Sequence, residues 1–212
     1  RREPAGRVEH VIHEGRWRGE GPRQFGRQLV LALADPAHPL RGVAHHARKF
    51  CDLAEVVAAF ETLRDAGKIR DWGVSNFDVD DMQELWQIDG GQHCLVNQVL
   101  YRAGSRGIEF DLLPWCAQHA VTVMAYSPLG SRALLDHPVL HAIGARRGVA
   151  ATAVALAWAI RSGQVIAIPE SGTPAHVRAN ADACTLQLDA RDLADLDNAF
   201  PPPTRKQPLD LL

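Results

Sequence analysis

Four short apolar stretches in this 212-residue chain end on polar side chains, and those ends hold the residues whose types could do chemistry. They read Ser75-Asn76, Asn97-Gln98, Tyr126-Ser127-Pro128 and Pro169-Glu170-Ser171. A carboxamide both donates and accepts, so Asn and Gln suit a ligand carrying a planar amide. A tyrosine ring offers a flat face on which an aromatic plane can stack. Just beyond the last stretch, Thr173-Pro174 reads as an N-cap followed by proline at the first helical position. Free N–H groups and the dipole at such a helix start attract phosphate. One polar strand end is unremarkable by itself, because strands give way to solvated loops. Four together suit a planar, amide-bearing ligand.

These ends can cooperate only if the elements before them lie side by side. Val56, Val57, Phe60 and Leu63 recur with a helical period, and Gly67 stands where a C-cap glycine belongs. Ile69–Val74 then reads as a buried strand, and Asp78 as the N-cap of a helix through Met82, Leu85 and Trp86. Strand Leu95–Val99 precedes a helical run from about Phe110 to His119, with Pro114 near its first turn. Strand Val121–Ala125 leads through SPLGSRALLDHP to helices near Val139–Arg147 and Ala151–Ser162. Strand Val165–Ile168 precedes the Thr173-Pro174 helix, and a last helix from Asp189 to Ala199 stops at Pro201–Pro203. Strands alternating with helices predict βα units on a parallel sheet, whose carboxyl ends share one edge. In α/β folds that edge is where ligands bind.

Composition sets the class. Hydrophobic residues make up 46% and charged residues 23%, which is ordinary for a globular protein. No apolar run approaches about 18 residues, so no transmembrane span is expected. No basic-then-apolar leader opens the sequence, and Cys51, Cys94, Cys116 and Cys184 form no close pair. A cytoplasmic protein with reduced, mostly buried cysteines is therefore expected. The net charge of −2 conceals a division. Residues 1–50 carry nine arginines and one lysine against five carboxylates, a net of +5, which leaves −7 for the remainder. That stretch has no helical or alternating period apart from Leu29–Ala34, which reads as a short strand or a helical turn. Its basic character invites a nucleic-acid reading. Scattered glycines and prolines, few aromatics and no binding motif argue against one, so no nucleic-acid partner is expected. His10, His13, His45 and His46 offer no recognisable third and fourth ligand, so no metal site is expected.

The segments GKIRDWGVSNF, LVNQVLYRAGSRGIEFDLLPWC, VMAYSPLG and IAIPESGTPAHVRAN resemble the second half of an aldo-keto reductase. SRGIEFDLLPW and AFPPPTRKQPLDLL are similar to a bacterial branch with methylglyoxal reductase members. The resemblance runs from about Leu53 to Leu212. It implies an α/β fold of the (β/α)8 TIM-barrel type, of which only about the C-terminal half is recognisable. Residues 1–52 then form an unmatched basic arm, irregular or standing in for the first half. By the same resemblance the chain uses NADPH to reduce a small-molecule aldehyde or ketone. Ser75, Asn76 and Gln98 would hold the nicotinamide carboxamide, and Tyr126 would stack on the ring. Ser127 and Leu129 would line the pyrophosphate, and Ser171 and Asn180 would face the adenosine end.

Two departures from the family pattern matter. Its catalytic tetrad of Asp, Tyr, Lys and His comes from the first barrel half, with tyrosine as general acid. Both tyrosines of this chain, Tyr101 and Tyr126, lie in second-half motifs. No catalytic residue is matched; His46 is a weak candidate by back-extension from the LAEVVAAFETL helix. At the adenosine end, Glu170 and His176 stand where the family commonly has Lys and Arg for the 2′-phosphate. A carboxylate there weakens NADPH preference, so NADH is also admitted. Three readings follow: a reductase competent only with its other half, a truncated or frameshifted remnant that at most binds nucleotide, and a DNA- or metal-binding protein using the basic arm. The third is the weakest. A reading-frame change near residue 52 would explain an aperiodic Arg/His/Gly/Pro arm.

Overall fold

A computed structural model describes residues 52–212 together with the backbone of residues 28–33. Of the expected arm 1–52 only Gln28–Leu33 and Asp52 are described, and the candidates His46, His10, His13, His45 and Cys51 fall outside the described residues. Within Leu29–Ala34 the backbone is a strand, β1 (Gln28–Leu33), not a helical turn.

The alternation read from sequence is present. Helix α1 (Leu53–Asp65) leads to β2 (Asp71–Ser75) and α2 (Val79–Trp86). Strand β3 (Cys94–Leu100) is followed by α3 (Leu112–Gln118), then β4 (Thr122–Tyr126). Three helices follow: α4 (Arg132–Leu135), α5 (Pro138–Arg147) and α6 (Ala151–Ile160). Strand β5 (Val165–Ala167), α7 (Pro174–Asp182) and α8 (Ala190–Ala199) complete the described chain. The sheet order is β1-β2-β3-β4-β5, with β2 through β5 parallel and in sequence order. β1 pairs antiparallel with β2, Gln28 opposite Ser75 and Leu33 opposite Asp71, and so breaks the parallel pattern.

Local chemistry explains the boundaries. Asp52 accepts from the Ala54 N–H at the start of α1, and Gly67, at φ 65°, turns the chain into β2. Asp78 and Asp81 form a reciprocal capping box on α2, as Asp189 and Asp192 do on α8. Thr173 starts α7 without using its hydroxyl. Instead Ser171 Oγ accepts the Thr173 N–H at 3.2 Å. α6 is apolar on all sides and buried from Ala153 to Ala159, since it is packed among α5, α7 and β5.

The core runs between the sheet and the helices: Trp72, Val74, Phe77, Met82, Leu85, Val123, Ala125, Leu140, Ile143, Val154, Trp158 and Leu196 are all buried. Trp72 stacks on Phe60 with ring centroids 5.3 Å apart, and its Nε1–H donates to Glu61 at 2.7 Å. Cys94 and Cys116 are buried free thiols, their pKa values pushed up to about 12 by desolvation. Cys184 is exposed. The long apolar helices are core helices. Among the described residues no single helix is long and apolar enough to cross a membrane.

A partly buried polar hub joins the β3–α3 connection to α6 and α8. Glu109 accepts from Arg106 at 2.8 Å, from Tyr101 at 2.7 Å and from Arg161 at 2.9 Å. Arg106 also reaches Asp197 at 2.7 Å and the Phe200 carbonyl. Both guanidiniums lie over the Trp158 ring, 5.1 and 4.0 Å from its centroid. Burial alone would raise the Glu109 carboxyl, yet the hydrogen bonds from Arg106, Tyr101 and Arg161 hold it below its ordinary value. A depressed carboxylate stabilises the fold above its unfolded pKa, and that contribution is lost as pH falls through the folded one. Glu109→Ala should lower stability in urea by roughly 3 kcal/mol, the low end for breaking a buried pair. Glu109→Gln should flatten the acid limb of the stability–pH curve below the ordinary carboxylate range. Arg132→Ala, which removes the exposed pair with Asp136, should leave the urea midpoint unmoved. An unchanged midpoint for Glu109→Ala would show that the hub contributes nothing net.

Among the described residues β5 is the last strand of the sheet order and only three residues long; Ile166 within it and Ile168 just after it are 49% and 38% exposed. An open edge with apolar side chains favours association. Size-exclusion chromatography should show the wild-type chain associating, and the pair Ile166→Lys and Ile168→Lys shifting it toward monomer. A wild-type chain eluting as a clean monomer would contradict this.

Candidate cofactor site

Parallel pairing sets the site. Ser75 lies opposite Gln98, and Leu100 opposite Tyr126, so the carboxyl ends of β2, β3 and β4 lie along one edge. β5 joins them with Ala167 opposite Ala125, and the Ile168 N–H donates to the Ala125 carbonyl at 3.1 Å.

At the β2 end the chain turns sharply. Ser75 is buried and its Oγ donates to the Gln98 carbonyl at 3.0 Å; the Asn76 N–H donates to the same carbonyl at 2.8 Å. Asn76 sits in the left-handed region at φ 56°, which Asn tolerates better than most residues. Gln98 is half-buried, and its amide donates to the Met124 sulfur at 3.5 Å. A thioether is a weak acceptor, so that donor gains by exchange for a carbonyl oxygen. Asn97, the neighbouring carboxamide, is different: it is fully buried and its amide donates to the Phe77 carbonyl at 2.8 Å. It locks the β2–α2 turn and is not part of the ligand edge.

Tyr126 closes β4 with its ring half-buried. Desolvation raises its hydroxyl above the ordinary value, opposed by hydrogen bonds with the Asn76 side chain and the Leu212 backbone and by the charge of Arg102. Ser127 continues at φ 47° and Gly130 at φ 64°, so residues 127–130 fold back over the strand end, with the Gly130 N–H donating to the Ser127 carbonyl at 3.0 Å. The Leu129 side chain packs into the core, which leaves only its backbone for the edge. Ser171 is half-buried with its Oγ engaged by the Thr173 N–H, and Asn180 is half-buried on α7. Glu170 and His176 are exposed.

Ser75, Asn76, Gln98 and Tyr126 therefore come together on β2 to β4, whereas Ser171 follows β5 and Asn180 lies on α7. Tyr101 is excluded: it is buried, bonded to Glu109 and Arg161, and its hydroxyl is raised by desolvation. No local pattern marks Arg102, whose side chain reaches the 127–130 loop from the end of β3. A hollow of about 390 Å³ opens between residues 103–107 and 199–210, but its wall includes Arg106, already bonded to Glu109 and Asp197, and none of the edge residues.

The donor set fits a nicotinamide dinucleotide at one end. Carboxamide side chains, a hydroxyl and a half-buried tyrosine ring meet on one edge and offer partners to an amide-bearing ring. At the other end the exposed Glu170 carboxylate would repel a phosphate bound beside it.

The model of the aldo/keto reductase family matches residues 28–200. Over 163 residues the chain is 50% identical to methylglyoxal reductase YeaE of Escherichia coli, covering 74% of this chain and 57% of that protein. It is 34% identical to glyoxal reductase of Bacillus subtilis over 66% of this chain and 49% of that one. A crystal structure of an aldo/keto reductase from Klebsiella pneumoniae in complex with NADP and acetate superposes with a TM-score of 0.74 at 47% identity, covering 76% of this chain and 58% of that one. Another from the same organism, in complex with NADPH, gives 0.76 at 46% identity, over 79% and 61%. The chain thus spans about half to three-fifths of the length of these relatives. Its four parallel βα units are those of a TIM-type barrel, and the chain belongs to the aldo/keto reductase family.

Proposed function

We propose that residues 53–212 are the cofactor-binding half of a reductase that uses NADPH, or NADH, to reduce small aldehydes of the methylglyoxal kind. The observation that carries this reading is the meeting of Ser75, Asn76 and Gln98 beside Tyr126 on three adjacent parallel strands. The printed names of the relatives support the substrate class, and the NADP and NADPH complexes from Klebsiella pneumoniae support the cofactor. A cytoplasmic setting accords with free Cys94, Cys116 and Cys184.

When bound, the dinucleotide would supply the hydride. The residues of this chain would do the holding. Gln98 would exchange its weak sulfur contact for the carboxamide oxygen, and Ser75 Oγ, which donates to Gln98, keeps lone pairs to accept an amide N–H. The Tyr126 ring, half-exposed at the edge, would back the nicotinamide plane. The carbonyl oxygen of an aldehyde must also be protonated as charge develops. Among the described residues neither tyrosine is placed to do so: Tyr101 is buried in the Glu109 hub, and Tyr126 is bonded to Asn76 and the Leu212 backbone. His46 stays a candidate only by sequence.

Loss of a general acid typically costs about 10²- to 10⁴-fold in rate, and loss of half the pocket removes substrate positioning too. The purified polypeptide alone should therefore bind NADPH yet oxidise it with methylglyoxal at or near background. Tyr126→Ala should weaken NADPH binding about 3- to 10-fold, the range of a lost aromatic stack, and Tyr126→Phe should leave it nearly unchanged. Robust methylglyoxal-dependent turnover by the wild-type chain would overturn the assignment of catalysis to a missing half.

A further inference from the structure

The loop that follows Tyr126 has a charged neighbour which the reading above leaves unused. A Cβ added to Gly130 would lie 3.0 Å from Arg102 Cδ and 3.3 Å from its Nη1, so the arginine stem occupies the space a side chain would need there. The stem is held from behind. Arg102 Nε donates to Ser105 Oγ at 3.2 Å, and the two residues form an antiparallel bridge, Arg102 N–H to the Ser105 carbonyl at 3.3 Å and the reverse at 2.8 Å. Among the described residues Arg102 joins no ion pair, unlike Arg106 and Arg161 nearby. Asp210, whose charge also acts on the Tyr126 hydroxyl, does not pair with it. Its terminal donors are thus fixed in place, half-buried, against residues 127–130.

We propose that Arg102 is a further dinucleotide-binding residue, its guanidinium taking the pyrophosphate of the nicotinamide cofactor beside the Ser127–Gly130 loop. This rests on the cofactor reading of the same edge. Three physical points favour it. The planar fork of Arg matches two phosphate oxygens at once. A stem already tethered by Ser105 loses little further freedom when a ligand arrives. And the adenosine end lacks the family's usual basic side chains, with Glu170 and His176 in their places, so a permanent cation near the pyrophosphate weighs more in this chain. Arg102 would then favour both dinucleotides alike, because NADH and NADPH share the pyrophosphate and differ only at the 2′ position.

Titration of the purified chain with NADPH and with NADH, read by calorimetry or tryptophan fluorescence, separates the outcomes. Arg102→Ala and Arg102→Gln should each weaken both dinucleotides by on the order of 10- to 100-fold, the range for a hydrogen bond to a charged group. Arg102→Lys, which keeps charge but not the fork, should fall between. Thermal unfolding of the free variants should match the wild type; were Arg102→Ala unfolded, Arg102→Lys decides, a several-fold loss supporting the assignment and wild-type affinity overturning it. Unchanged affinity in folded Arg102→Ala overturns it while leaving the cofactor reading intact. A loss confined to NADPH overturns it too, since that would put Arg102 at the 2′-phosphate. Wild-type chain that binds neither dinucleotide overturns the cofactor reading and this inference together.

Discussion

Everything at the ligand edge depends on parallel pairing. An antiparallel hairpin alternates its ends, but a parallel strand must be re-entered from the same side each time, through a crossover long enough to hold a helix. Strands β2 to β5 obey this in sequence order. Four carboxyl ends are thereby forced onto one edge, and the polar residues that end the strands become neighbours without any contact between their side chains being required to assemble them. The crossover helices bury the other side of the sheet, which is why Val74, Val123 and Ala125 are inaccessible while Gln98, Met124 and Tyr126 remain partly open.

Parallel pairing alone does not hold the connections still. The β3–α3 connection is long, and the Glu109 hub pins it together with the Arg102–Ser105 bridge. One carboxylate takes three donors from residues far apart in the chain, and two guanidiniums clamp Trp158. Arg146 and Arg147, at the end of α5, perform a similar service for α8 by reaching Asp192, the same residue that completes its capping box. In both places a charge is buried only where it is several times satisfied, as its desolvation requires.

These features differ in how far the sequence reveals them. Capping residues, the C-cap Gly67, the proline start of α7 and the strand–helix alternation are local, so periodicity and residue type suffice to read them, with boundaries shifted by one or two residues. Of the two carboxamides at the β3 end, only Gln98 belongs to the ligand edge; Asn97 points the opposite way, because successive strand side chains alternate faces, and a bulge near Trp72–Gly73 makes that parity hard to read in advance. The contacts of the Glu109 hub span up to 94 positions in sequence, and nothing local announces it. The antiparallel setting of β1 is equally hidden, because Leu29–Ala34 is too short for its period to separate strand from helical turn.

A ligand edge of this kind bears on rate in a limited way. Groups that hold a cofactor equally well before and during reaction strengthen binding without lowering the barrier to chemistry. Ser75, Gln98 and the Tyr126 face are of that sort on the proposed reading, since they touch the part of the nicotinamide that changes least. Differential stabilisation has to come from a group that meets the substrate oxygen as charge grows there. In a barrel closed by eight strands that group can stand across the pocket from the cofactor, on strands other than the five among the described residues. The division is physical as well as topological. On the proposed reading a cofactor-binding half would keep its affinity when separated from its partner, because its contacts lie on its own strand ends, whereas catalysis would not survive the separation, because hydride and proton must arrive at the two atoms of one carbonyl together.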